Sequence, residues 1–207
     1  MTDDTAPARA RPTEVELKYR VTDLGAAERI IAADRIGPFT AGARARTIQL
    51  EDRYVDTSDG ALTRAGFAVR LRQKGTEPLV SVKSLTRTDG PGGAVRREEL
   101  EGPADRVAPA VDWPASDARA LVMEHAGDAP LVELVTIRQL RRQRQLKATG
   151  TRIELSLDEV DVVTRGRVVD RFIELEAELL KGDEAALGSL AVELAMQRGL
   201  RRAETSK

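Results

Sequence analysis

Two stretches far apart in the chain alternate charged and apolar residues at a period of two. They are Glu14-Val15-Glu16-Leu17-Lys18 near the start and Glu174-Leu175-Glu176-Ala177-Glu178 near the end. That period sends successive side chains to opposite faces of a strand, so the charges share one face and the apolar residues the other. Glu14 and Lys18 also suit the i,i+4 spacing of a helix, but the Val15, Leu17, Tyr19 alternation favours the strand. If the apolar face packs against protein, the carboxylates gather on the opposite face. Carboxylates brought together from distant parts of a chain are what a hard divalent cation needs.

The rest of the chain reads as more of the same. After a strand over 13–21, Thr22 or Asp23 caps a helix over 23–35, with Leu24, Ala27, Ile30 and Ile31 as its apolar face. Strands are expected over 44–56, 66–74, 78–85 and 94–101, with turns at Ser58-Asp59-Gly60 and Gly75-Thr76-Glu77-Pro78 and a loop over 86–93. Four prolines (Pro103, Pro109, Pro114 and Pro130) break up 102–130, which reads as an excursion covering one side of the sheet, helical over about 115–125. Long strands follow over 131–147, 151–163 and 167–180, joined at Thr149-Gly150 and Arg165-Gly166. Asp183 caps a last helix with Leu187, Leu190, Ala191 and Leu194 on one face, stopped by Gly199. Residues 1–12 read as a disordered tail, 13–200 as one domain and 201–207 as a C-terminal tail. Eight strands with short connections suggest one antiparallel sheet that closes or curls strongly, with helices outside it. The class is α+β, dominated by β.

Composition removes several chemistries. The chain has 33 Lys and Arg against 34 Asp and Glu, a net charge of -1, so nothing in the overall charge implies a nucleic-acid partner. There is no cysteine, hence no disulfide or thiolate metal site, and the single histidine, His125, makes a Ser-His-Asp triad improbable. No apolar run approaches the roughly 18 residues of a membrane span, and no signal-peptide core opens the chain. A cytoplasmic protein with no membrane partner is the expectation.

The charges within the strands permit two readings. An open sheet could show its charged face to water. Alternatively, a closed sheet could bury its apolar face under helices outside and line its interior with charge. Such an interior is tolerable only if water, metal and an anion share it. Arg70, Arg72, Lys83 and Arg138 would then clamp phosphates and the glutamates would hold Mg²⁺ or Mn²⁺.

A family resemblance separates these readings. EVELK (Glu14 to Lys18) resembles the Glu-x-Glu-x-Lys signature of the CYTH family, the triphosphate tunnel metalloenzymes. In the same order, YVDT (Tyr54 to Thr57), AVRLR (Ala68 to Arg72), LVSVKS (Leu79 to Ser84), RREELE (Arg96 to Glu101) and RFIELE (Arg171 to Glu176) resemble later elements of that family. The resemblance covers about 13–200. It implies an eight-stranded antiparallel closed barrel, a tunnel that binds a linear triphosphate with divalent metal. Carried over by position, it implies metal ligation by Glu14, Glu16, Asp158, Glu174 and Glu176, and triphosphate contacts from Lys18, Arg70, Arg72, Lys83 and Arg138. Lys18 and Glu16 are the expected catalytic pair. Glu99 joins the set with Glu98 and Glu101 as register competitors, and Arg141 and Arg142 compete with Arg138. Asp161 competes with Asp158, and a functional lysine that some members carry near the C-terminus has no placed equivalent among Arg198, Arg201 and Arg202.

The function implied is hydrolysis of the terminal phosphoanhydride of inorganic or organic triphosphate by a metal-dependent triphosphatase. The partner is then a small-molecule triphosphate, and a homodimer is left open. An adenylate cyclase of the same fold and a non-catalytic polyphosphate- or nucleotide-binding module are the alternatives. Tyr54 and Asp56 read as structural, His125 as exposed and inert, and Trp113 as packing the excursion.

Overall fold

The computed structural model describes residues 11–74 and 77–203. The turn residues Gly75 and Thr76 and the tail segments 1–10 and 204–207 lie outside the described residues. In chain order the elements are β1 (Thr13–Val21), α1 (Leu24–Ala32), β2 (Arg35–Ile36), β3 (Phe39–Ala41), β4 (Arg46–Thr57), α2 (Ala61–Arg64), β5 (Phe67–Lys74) and β6 (Glu77–Ser84). They continue with β7 (Thr88–Asp89), β8 (Val95–Pro103), α3 (Asp117–Ala126), β9 (Leu131–Ala148), β10 (Thr151–Thr164), β11 (Arg167–Lys181), α4 (Ala185–Ala195) and β12 (Leu200–Arg202).

Eight of the strands close a ring in the order β1, β8, β6, β5, β4, β9, β10, β11 and back to β1, every pairing antiparallel. The remaining strands are short additions: β2 and β3 form a hairpin on β9, β7 pairs with β8, and β12 pairs with the last residues of β1. Closure leaves the ring without a free edge. It also brings the two charged stretches side by side, with Lys18 opposite Glu176 and Arg20 opposite Glu174. The tight turn from β10 to β11 has positive φ at Arg165 (51°) and Gly166 (74°), the twist that suits a two-residue hairpin connection.

The hydrophobic core lies outside the ring. Leu17, Leu155, Leu157, Leu175 and Ala177 project outward from β1, β10 and β11 and pack beneath Ile30 and Ile31 of α1 and Leu187, Leu190 and Leu194 of α4. A second cluster covers the other side, where Val69, Leu71, Val80, Val82 and Leu100 meet Trp113 and the α3 residues Leu121 and Val122. The proline-broken excursion is therefore the lid of this second core. Trp113 is only 4% exposed, and its indole N–H donates to the Ala108 carbonyl. His125 departs from expectation: it is half-buried and stacks on Phe67, with ring centroids 5.5 Å apart.

Caps fix the helix ends. The Asp23 carboxylate accepts from the Ala26 N–H and starts α1. Gly199 packs against this cap with φ of 85°; a Cβ there would sit 2.5 Å from Asp23 Cβ, so only glycine fits. α1 stops at Ala32 rather than running to 35, because the chain turns into the β2–β3 hairpin. Strands of two or three residues are too short to show a period, so this hairpin, β7 and β12 have no sequence signature. β12 extends the sheet into residues expected to be tail. Among the described residues, no helix is long and apolar enough to cross a membrane.

Asp56 organises the turn into α2. Its carboxylate accepts from the N–H groups of Thr57, Leu62 and Thr63 and from the Thr63 hydroxyl. Burial pushes its pKa up, but the Thr63 hydroxyl and the backbone donors outweigh burial and hold it below the ordinary aspartate value. A carboxyl with a depressed native pKa stabilises the fold above its unfolded-state pKa, and that contribution is lost as pH falls through the native value. Asp56→Ala should therefore cost about 2 kcal/mol at neutral pH. The gap from wild type in urea unfolding should shrink as the pH is taken below the ordinary aspartate range. A gap that stays constant with pH would assign the loss to packing alone.

Candidate functional site

The inward faces of the ring strands carry the charges. On β1 these are Glu14, Glu16 and Lys18, alternating with the outward core residues Val15, Leu17 and Tyr19. Arg70 and Arg72 on β5 alternate with core residues Val69 and Leu71, and Ser81 and Lys83 on β6 with Val80 and Val82. Asp158 on β10 and Glu174 and Glu176 on β11 alternate in the same way with outward leucines. Both Asp158 and Glu174 have no solvent exposure.

These groups form an interlocked set of ion pairs across the lumen. Lys83 Nζ lies 2.6 Å from Glu14 and 3.2 Å from Glu99. Lys18 Nζ bridges Glu16 at 3.2 Å and Glu176 at 3.0 Å. Arg72 grips Asp52 with two hydrogen bonds of 2.7 Å, and Arg70 reaches Asp52 at 3.3 Å and Glu99 at 3.4 Å. Arg141 holds Asp158 through two nitrogens, at 2.7 and 2.6 Å, and also contacts Glu176 at 2.7 Å. The side chains thus neutralise one another across the lumen. A cavity of about 840 Å³ lies along β4, β9 and β10, lined by the outward Glu51, Arg138 and Asp161 and also by Leu50 and the inward Gln139.

One expected contact is corrected. Arg138 faces outward, 58% exposed, with its guanidinium on Glu51 at 3.2 Å. Its cross-strand neighbours are Glu51 and Asp161, both on the outer face. Arg141, three residues on and therefore on the opposite face, supplies the β9 cation in the lumen. Asp161, the competitor of Asp158, is likewise outside, paired with Arg171. Among the β8 candidates, Glu99 faces inward, while Glu98 meets Arg11 on the exposed side.

Asp52 and Arg97 face inward and lay outside the expected set. Asp52 is 1% exposed and accepts from Arg70, Arg72 and the Gln139 amide. Arg97 reaches Glu16 at 3.2 Å. The only trace of Asp52 in the sequence is its parity with Tyr54, and its role follows from lying opposite Arg72.

Charge shifts follow the packing. Burial would push the Lys18 ammonium down, but Glu176 and Glu16 hold it above the ordinary lysine range. Glu16 is raised by burial despite Lys18 beside it. Glu99 is held low by Lys83 and Arg70, against the upward push of its burial. Glu178 is pushed up to about 7, by burial and then by Glu14 and Glu154. Carboxylates therefore crowd one another at this end of the lumen.

An all-oxygen, carboxylate-crowded end fits a hard divalent cation, which would relieve the mutual repulsion. Among the described residues, no three acids converge as a ready-made coordination sphere, because Glu14, Glu16, Asp158 and Glu176 are each turned toward a lysine or arginine. Holding a cation requires those pairings to loosen.

Comparison with known proteins gives one family match: the CYTH domain, over residues 12–207. Among solved structures the chain resembles HpAC1 from Hippeastrum, described as a proposed adenylyl cyclase that reveals a dominant triphosphatase activity. The identity is 24% and the TM-score 0.67, over 94% of this chain and 92% of that one. It also resembles a Bacillus halodurans protein described as a proposed adenylate cyclase, at 14% identity and a TM-score of 0.54 over 94% and 95% of the two chains. The Mimivirus capping enzyme triphosphatase matches at 11% identity and a TM-score of 0.51, over 92% of this chain and 90% of that one. At these identities the likeness is one of fold.

Proposed function

The chain belongs to the CYTH domain family, and from that premise we propose that it is a metal-dependent triphosphatase acting on a small-molecule triphosphate within a single tunnel domain over 13–200. The observation that carries this reading is the set of lumen cations from three separate strands, Arg70, Arg72, Lys83 and Arg141, held on carboxylates of β4, β1 and β10. Family membership and the triphosphatase activity described for HpAC1 and the Mimivirus enzyme support a triphosphate as substrate.

The lumen works by exchange of partners. Without ligand, each cation is neutralised by a carboxylate. An entering phosphate chain offers Arg70, Arg72, Lys83 and Arg141 oxygens in place of Asp52, Glu99, Glu14 and Asp158, and arginine forks match phosphate geometry well. Glu14, Glu16, Asp158, Glu174 and Glu176 would hold Mg²⁺ or Mn²⁺. When bound, such a cation neutralises charge on the phosphate oxygens and acts as a Lewis acid. Lys18, between Glu16 and Glu176, orients the attacking water toward the terminal phosphorus. Phosphoryl transfer asks mainly for positioning and electrostatic stabilisation, so no nucleophilic side chain is needed.

The test is product identity. Purified protein with Mg²⁺ or Mn²⁺ should release orthophosphate from inorganic triphosphate, ATP or thiamine triphosphate. Formation of cyclic AMP and pyrophosphate from ATP would instead make it a cyclase. Tight binding with no turnover of any of the three would make it a binding module.

A further inference from the structure

Along β9, the arginines of the middle of the strand are all paired: Arg138 with Glu51, Arg141 with Asp158 and Glu176, and Arg142 with Glu28 and Glu159. The cations where β9 finishes are not. A cavity of about 270 Å³ lies there, lined by Arg44, Arg46, Gln143, Gln145, Lys147 and Glu154 among others. Register makes it a continuation of the lumen. Gln143 lies two residues beyond Arg141 on β9 and opposite Arg46 of β4. Gln145 lies opposite Glu154, which is itself opposite Glu178. Among the described residues, Arg44, Arg46 and Lys147 make no ion pair.

The next row across the sheet sharpens this. Lys147 on β9 stands opposite Arg152 on β10, and Arg152 stands opposite Lys181 on β11. On the other side of β9 the row continues to Thr40 of β3, so it holds three cations and no carboxylate. Like charges directly opposite on neighbouring strands are unfavourable, and an anion laid across the row removes that repulsion. The one carboxylate among the residues lining the cavity, Glu154, belongs to the row inside it, beside Glu178. The rim itself is fixed. Gly42 donates its N–H to the Gln145 carbonyl at 2.7 Å, and the buried Arg144 donates to the carbonyls of Ile31, Ala33 and Gly42. The segment that carries Arg44 and Arg46 is thereby anchored to β9.

We infer that Arg44, Arg46, Lys147, Arg152 and Lys181 form a collar at this mouth that binds the continuing chain of a linear polyphosphate whose end lies among the lumen cations. This rests on the triphosphatase reading and deepens it, by naming long-chain polyphosphate as the substrate class. The lining decides the chemistry. Its guanidinium, ammonium and amide groups donate to anionic oxygens, and no aromatic side chain lines the cavity on which a nucleobase would stack. The overall charge of -1 gives no general attraction for polyanions, so the attraction is local to this row of one sign.

The probes are inorganic triphosphate, long-chain linear polyphosphate and a 5′-triphosphorylated oligonucleotide, each with Mg²⁺, compared by kcat/KM for orthophosphate release. Wild type should prefer the long polyphosphate, and the preference should shrink as salt is raised, because exposed charges are screened. Combining Arg46→Ala, Lys147→Ala and Arg152→Ala should lower the ratio of kcat/KM for long polyphosphate over triphosphate by about tenfold or more. Arg171→Ala removes a charge paired with Asp161 on the outer face and should leave that ratio unchanged. A ratio that the triple variant does not lower, including an equal loss on both substrates, would overturn the inference and leave the triphosphatase reading standing. So would a wild type that prefers free triphosphate or the oligonucleotide. Wild-type protein that hydrolyses none of the three would overturn both.

Discussion

Glu16→Gln is expected to lower triphosphate hydrolysis by about a thousandfold or more while leaving the barrel folded. Glu16 is 3% exposed, 3.2 Å from Lys18 and 3.2 Å from Arg97, on the strand where metal-binding and water-orienting groups meet. The amide keeps the shape of the side chain but removes its charge. That takes away one anionic oxygen donor for a divalent cation and one of the two carboxylates that fix Lys18. Stability should move little, by about 1 kcal/mol, because a lost ion pair is offset by the lower cost of burying a neutral group. Phosphate release at saturating substrate, read beside a thermal melt, separates the two effects. A variant that keeps a tenth of wild-type turnover would remove Glu16 from the mechanism.

The largest effect on stability is expected at Asp52. Its carboxylate is 1% exposed and carries the Arg72 fork, an Arg70 nitrogen and the Gln139 amide. Asp52→Ala leaves two guanidinium groups in the lumen without their main counter-charge, and breaking a buried pair in this way costs about 3–5 kcal/mol. That is a large share of the roughly 5–15 kcal/mol that holds a domain together. Asp52→Asn, which retains an acceptor oxygen, should lose less. The exchange of partners adds a second expectation: inorganic triphosphate should raise the melting temperature of Asp52→Ala more than that of wild type, because phosphate oxygens replace the missing carboxylate. An Asp52→Ala protein as stable as wild type in urea, or one that gains no more than wild type from triphosphate, would show that Asp52 does not balance this clamp.

The two charged stretches show which parts of the site could be read in advance. Their alternation fixes the face of each side chain as soon as the stretch is a strand, so Glu14, Glu16 and Lys18 share one face of their strand, and Glu174 and Glu176 one face of theirs, whatever the neighbouring strands do. The same logic served Arg70, Arg72 and Lys83, whose intervening residues are plainly apolar. It failed in RQLRRQR, where Arg138, Leu140 and Arg142 face out and Gln139 and Arg141 face in. There arginine occurs at both parities and the one leucine lies on the exposed side, so hydrophobicity does not mark the inward face. Outward pairing of Arg138 with Glu51 and of Arg142 with Glu28 and Glu159 keeps those charges on the surface.

What the chain determined by itself was therefore local: which segments are strands, which side chains lie together on each, and that the charged faces cannot all be ordinary surface once the ordered motifs are taken together. Those properties follow from backbone geometry over a few residues. The tertiary structure decided the partners. Register across β4 and β5 set Asp52 against Arg72, register across β9 and β10 chose Arg141 over Arg138, and closure of the ring set Lys18 against Glu176. The pairing of β12 with β1 then placed Arg201 across from Arg20. Register and closure are summed over the packing of every strand and helix, and a one-residue slip reverses every face. No local pattern encodes that sum.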